Sequence, residues 1–211
     1  MKEIQSDYVH NFAVQAEQLM YLYEKGTLED LKNAIFPCIA DLAMQPAGVP
    51  MKKWHSFRIY YVINWNKLFP LIEAWEYIES PFLLRNQITV EQVHDIALQN
   101  LNKQKVLCKK LLFDKDIICL KLDNKMIPSI SSSILLMDHI WKKLYLLMKG
   151  PFYILPLYRD YIFAVSEKTV CGNYVRLEEI RKEIKRIYSE IAVPFDDTVI
   201  FYNGSCFYFT R

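Results

Sequence analysis

Residues 131–165 carry an apolar segment bounded by strong helix signals at both ends. Ser131, Ser132 and Ser133 precede Ile134-Leu135-Leu136-Met137, and Gly150-Pro151 follow Met148-Lys149. Serine hydroxyls cap helix N-termini, glycine accepts the left-handed backbone of a helix stop, and proline forbids continuation. The spacing therefore predicts a helix over 133–149 with Gly150 as its stop. Its polar residues Asp138, His139, Lys142, Lys143 and Lys149 fall on one stripe of roughly 140° of arc at ~100° per residue. So wide an apolar remainder predicts a helix covered on two sides. After it, residues 152–157 and 161–165 read as short strands on either side of Arg159-Asp160.

The same alternation runs through the rest of the C-terminal part. Residues 106–113 and 117–122 flank Asp114-Lys115-Asp116, a short hairpin connection. Leu177, Ile180, Ile184, Ile187 and Ile191 mark an amphipathic helix whose solvated face holds Glu178, Arg181, Lys182, Lys185 and Arg186. Residues 199–202 and 206–209 surround Asn203-Gly204, a strong hairpin signal. From residue 105 the order is ββαββαββ. Hairpins separated by helices imply an α+β class with a largely antiparallel sheet and helices packed on it.

Before residue 50 the pattern is helical. Phe12, Ala16, Leu19 and Tyr23 share one face, Gly26 ends that helix, and Thr27 with Asp30 opens the next. In the second, Leu28, Leu31, Ile35, Ile39 and Leu42 keep the period, with a kink or shortening expected at Pro37. This N-terminal helical hairpin is the expected cover for the far side of the 133–149 helix. Pro46-Ala47-Gly48-Val49-Pro50 reads as a linker, which divides the chain into an appendage at 1–50 and an α+β domain at 51–211. Within the latter, 57–62 favours a strand, Asn64-Trp65-Asn66-Lys67 a turn, and 68–72 an edge strand limited by Pro70. Residues 74–78 are ambiguous. Thr89-Val90-Glu91-Gln92 is a capping box opening a helix to about residue 102.

Composition narrows the function classes. The chain has 211 residues, 52% hydrophobic and 14% aromatic, which supports a packed core rather than disorder. A formal charge of +2 carries no footprint for nucleic acid or anionic lipid. Five scattered cysteines without a CxxC pair form neither a disulfide framework nor a zinc knuckle, and Cys108 and Cys119 are expected as buried free thiols. No signal peptide or membrane span is expected, so the expected location is the cytoplasm.

One resemblance bears on the class. Arg58-Ile59-Tyr60-Tyr61-Val62, Leu71-Ile72, Thr89–Val93, Ala97–Leu101, Ser133–Leu136 and Ile154-Leu155-Pro156-Leu157-Tyr158-Arg159-Asp160 resemble segments of the YtpQ-like bacterial proteins, a family of unknown function. The similarity spans residues 57–165 and implies a cytoplasmic bacterial protein. It implies no activity.

The chemistry-bearing residues are few. His10, His55, His94 and His139 show no metal-ligand spacing, and no phosphate loop, GxGxxG or nucleophile elbow occurs. No cofactor, metal or catalytic set is expected. Arg159-Asp160 sits where a scaffold places functional groups in a turn, although Asp160 also serves as a turn cap with Arg159 exposed. Trp54, Trp65 and Trp75, with Tyr60, Tyr61 and Tyr77, either fill a junction or form an adhesive patch for a protein partner. The leading expectation is a non-enzymatic protein-binding module, an adaptor or immunity-type inhibitor. The alternative is a hydrolase built around Arg159 and Asp160. A nucleic-acid binder using the basic clusters is a weaker third, because Glu178, Glu179, Glu183 and Glu190 dilute the 181–186 cluster.

Overall fold

A computed structural model describes residues 2–40, 46–111, 114, 116–123 and 128–210, with side chains for all of these except 2–8 and 128–130. Helix α1 (Lys2–Lys25) leads to the single turn α2 (Leu28–Leu31), opened by the expected Thr27–Asp30 capping box. Strand β1 (Ile35–Ala40) follows, then β2 (Lys52–Trp54), β3 (Phe57–Asn64), a 3-10 turn at Trp65–Lys67, β4 (Trp75–Tyr77), α3 (Ser80–Asn86) and α4 (Val90–Asn102). The C-terminal part runs β5 (Val106–Lys110), β6 (Ile117–Leu122), a 3-10 segment at Pro128–Leu136, α5 (Asp138–Met148), β7 (Phe152–Leu155) and β8 (Ile162–Ser166). It ends with α6 (Glu167–Val170), α7 (Tyr174–Tyr188), β9 (Val199–Tyr202) and β10 (Phe207–Thr210). The class is α+β, all strand pairs are antiparallel, and the ββαββαββ order holds from residue 105.

The strands form two sheets. The larger has the order β10-β9-β7-β8-β6-β5. Period-2 alternation divides its residues between two cores. Ile118, Leu120, Phe152, Ile154, Ile162 and Ile200 join an inner cluster, and Ile117, Tyr153, Leu155, Phe163 and Val165 join an outer one closed by Leu177, Ile180 and Ile184 of α7. The smaller sheet has β3 at its centre, with β1 along one side and β2 and β4 sharing the other. Its residues join the same inner cluster, with Val93, Ala97 and Leu101 of α4 and Trp141 and Leu144 of α5. Strand β1 precedes residue 50 and β3 follows it, so the small sheet ties the two stretches together.

Residues 28–40 do not form one continuous helix. Helical structure stops by Ala34, and Ile35–Ala40 is a strand buried at every position; Leu42 lies outside the described residues. A run buried on both faces has no alternation, so its apolar content mimics a helix face. Pro37 is accommodated because it sits on an edge. It lies opposite Tyr61, whose carbonyl points away from β1 and accepts from Ile78 N at 2.8 Å. The position where Pro37 lacks an N–H therefore faces away from β3, and no ladder bond is lost.

The helix expected at 133–149 starts only at Asp138, and its left-handed stop is Lys149 (φ 57°) rather than Gly150. The serines do not cap it. Ser133 Oγ donates to Pro37 O at 2.7 Å and Ser131 Oγ accepts from Leu122 N at 3.2 Å, joining the two sheets. Helix α5 is covered on one side only: Trp141 and Leu144 are buried, while Leu146 and Leu147 are 76% and 60% exposed. Helix α1 is held elsewhere, with Gln15 Oε1 accepting from Leu71 N at 3.1 Å. Residues 68–72 make turns instead of an edge strand, and the chain returns to β3 as β4. All five cysteines are free, but Cys108 is exposed rather than buried.

Candidate functional site

The three tryptophans singled out from sequence go to three environments. Trp65 is core. Trp54 is half-buried between the sheets, edge-on to Phe209 at 5.6 Å and Phe207 at 6.1 Å. Trp75 is 41% exposed and stands edge-on to Tyr77 at 5.2 Å. The aromatic patch thus narrows to Trp75 and what surrounds it.

What surrounds it is the corner where α1, β4 and α3 meet. A cleft of about 190 Å³ there is lined by Tyr23, Glu24, Tyr77, Glu79, Phe82 and Arg85, among others. The corner is fixed by local chemistry. Pro81 occupies the first turn of α3, where a missing N–H costs nothing. Asn86 Oδ1 accepts from Leu28 N at 2.8 Å, and Arg85 Nη2 donates to Gly26 O at 3.3 Å. These bonds lock α3 against the α1–α2 junction. Tyr23 lies beside Glu76, whose charge, followed by partial burial and a hydrogen bond from the Tyr23 hydroxyl, raises its pKa; Glu79 adds to this. Glu24, Glu76 and Glu79 therefore form an acidic rim around aromatic walls. Along α1 the apolar residues Val9, Phe12, Met20 and Tyr21 are also exposed.

Arg159 and Asp160 lie in the turn between β7 and β8. The turn is pinned on both sides: Ser132 N donates to Arg159 O and Arg159 N donates to Val193 O, each at 3.0 Å. Arg159 is half-buried rather than exposed. Its charge acts on Cys38 and Tyr77 of the small sheet. Burial pushes the Cys38 thiol up to about 11, and Arg159 only partly offsets this. Asp160 is raised by burial, against the opposing pull of Lys121 and Arg159. Its Oδ1 is buried with no hydrogen-bond partner among the described residues. A carboxyl in such surroundings resists ionisation. The charges that act on it come from Lys121 and Arg159, not from a histidine.

His94 on α4 is tied to the small sheet. Its Nδ1 lies 3.1 Å from the hydroxyl of buried Tyr61, and burial, then Lys52, lower its pKa. Among the described residues no group of three His, Cys, Asp or Glu side chains is placed to hold a metal ion. The 176–186 face of α7 is paired: Arg186 with Glu183 at 2.7 Å, Arg176 with Glu179 at 3.3 Å, and Lys185 with Asp197 at 2.6 Å. No helix among the described residues is long and apolar enough to cross a membrane.

Tyr23, Glu76, Glu79 and Arg85 were not foreseen as a site. They come from three elements, and α3 itself was missed although Ser80-Pro81 is a helix-start signal. Fold and geometry define the class: an α+β protein of two antiparallel sheets with an aromatic, acid-rimmed corner. Searched against family models, curated proteins and solved structures, the chain matches none.

Proposed function

We propose that the protein is a non-enzymatic protein-binding module, of the adaptor or inhibitor kind, and that it binds through the corner of α1, β4 and α3. The observation that carries this reading is Trp75, held in the open beside a cleft walled by Tyr23, Tyr77 and Arg85. Tryptophan, tyrosine and arginine are the side chains that dominate binding energy when they anchor an interface. Exposing so much aromatic surface costs free energy in water, and a partner that covers it recovers about 25 cal/mol per Å² of apolar area. The rim of Glu24, Glu76 and Glu79 sets the partner's chemistry: an apolar anchor flanked by lysine or arginine.

The test is capture of a partner, followed by substitution at the corner. Trp75→Ala and Tyr23→Ala should each abolish stoichiometric capture while leaving the thermal midpoint nearly unchanged. Association should also slow as salt is raised, because rim charges act mainly on the rate of encounter. A partner retained undiminished by the Trp75→Ala, Tyr23→Ala double variant would sink the reading.

A further inference from the structure

On another side of the molecule, below the C-terminal end of α5, lies a cleft of about 260 Å³. Its polar wall is made by Lys110, Lys149 and Lys168, with Asp116 and Ser166 beside them. The three lysines come from the end of β5, the stop of α5 and the first turn of α6. The backbone joins those segments: Glu167 N donates to Pro151 O at 3.0 Å, and Ser166 N donates to Asp116 O at 3.2 Å. Lys110 faces Ile118 across the β5–β6 ladder, and Ile118 also lines the cleft. Lys149 takes a left-handed backbone that non-glycine residues rarely adopt, with its N–H bonded to Leu146 O at 3.2 Å. The convergence is therefore built into the fold.

None of the three lysines takes part in an ion pair among the described residues. Asp116 is the one carboxylate among the described lining residues, and its Oδ2 already accepts from Thr169 Oγ1 at 3.3 Å. Glu167, next to Lys168 in sequence, acts on Tyr153, which belongs to the α7-covered core. Three cations sharing one concavity with a single acid repel one another and focus a positive potential outward. Lysine ammonium groups are compact point charges suited to phosphate oxygens.

We infer that this cleft binds a phosphate group, taken from a soluble phosphoester or from a phospholipid headgroup. The lysines supply the counter-charge, and the Ser166 side chain offers a hydroxyl donor at the cleft wall. Leu147 lines the same cleft and is mostly exposed, with Leu146 beside it, so the apolar part of either ligand has a surface to lie on.

Two arms at constant ionic strength test the inference and separate the sources. Inorganic pyrophosphate is titrated into the full chain and followed by amide resonances. In parallel, phosphatidylcholine vesicles with and without phosphatidic acid are sedimented with the protein. Saturable shifts centred on Lys110, Lys149, Ser166 and Lys168 support the site and a soluble ligand. Sedimentation that requires phosphatidic acid supports the site and a headgroup. In either arm Lys149→Glu and Lys168→Glu should each weaken binding at least about tenfold, and Lys142→Glu, elsewhere on α5, should change it less than about twofold. Linear, non-saturating shifts without lipid-dependent sedimentation would overturn the inference, as would equal losses from Lys142→Glu and Lys149→Glu.

Discussion

The two sheets close themselves in opposite ways. The large sheet is a ladder of hairpins whose outer face is covered by α7 together with Val170 of α6, and whose outer strand β5 carries Lys109 and Lys110, the usual protection of an open edge. The small sheet is instead gathered around one strand, β3, which pairs with β1, β2 and β4. Its strand β1 is an edge by pairing yet buried at every residue. The carbonyls of Ile35, Pro37 and Ile39 are met instead by side chains: Asn100 Nδ2 at 2.9 Å, Ser133 Oγ at 2.7 Å and Ser132 Oγ at 3.5 Å. The lesson is that an edge can be satisfied by residues far away in sequence, with no strand involved. The large sheet joins its three hairpins through strand pairings alone, β6 with β8 and β7 with β9; the outer edge of the small sheet depends instead on three distant polar side chains.

That contrast can be broken or sharpened experimentally. The largest effect should come from Trp141→Ala. Trp141 is fully buried where the sheets share a core, and its Nε1 donates to Leu135 O at 3.2 Å. Equilibrium denaturation should show a loss of ~3–5 kcal/mol; less than ~1 kcal/mol would mean that the sheets do not depend on the common core.

Next is Asn100→Ala, which leaves the carbonyls of Lys32 and Ile35 without their donor and should cost ~1–3 kcal/mol. Hydrogen exchange should speed up in β3, with β7 and β8 much less affected. Equal acceleration in both sheets would show that they open as one unit.

A smaller, pH-dependent effect should centre on His94. Its folded pKa is below the ordinary value of ~6.5, so the unfolded chain binds the proton first. Stability should be constant above ~6.5 and fall as pH drops from there towards the folded pKa. His94→Gln should flatten that part of the profile, and an unchanged slope would remove His94 as its source. Smallest of all, Trp75→Ala should alter stability by less than ~0.5 kcal/mol, which is what separates a binding anchor from a structural one.

Legibility followed the same division. Although β7 and β8 are buried at every position just as β1 is, the large sheet could be read because its turns use marked residues. Asn203-Gly204 is one: Gly204 has φ 101°, and a Cβ there would come within 2.9 Å of the Tyr145 ring. Capping boxes at Thr27 and Thr89 were equally readable, since they involve residues three apart. The small sheet was obscured at residues 35–40, where a fully buried apolar run follows a helix-opening capping box with no glycine or proline between them, and where three serines that look like caps serve as a bridge. Of the site residues named from sequence, Trp75 belongs to the corner, Trp65 is core, and Trp54 packs between the sheets. Arg159 and Asp160 share a turn, where the Arg159 charge acts on Asp160 and also on Cys38 and Tyr77 of the small sheet. Tyr23 and Arg85 could not be paired with Trp75 from sequence, because a contact between α1 and α3 leaves no periodic trace.

Proline at position 37 and the hydroxyls lying over its strand have a consequence for assembly. A foreign β-segment approaching from that side meets occupied acceptors and a missing donor, much as a growing polymer meets a chain terminator. Copies of this protein that associate should therefore not do so by lengthening the small sheet past β1.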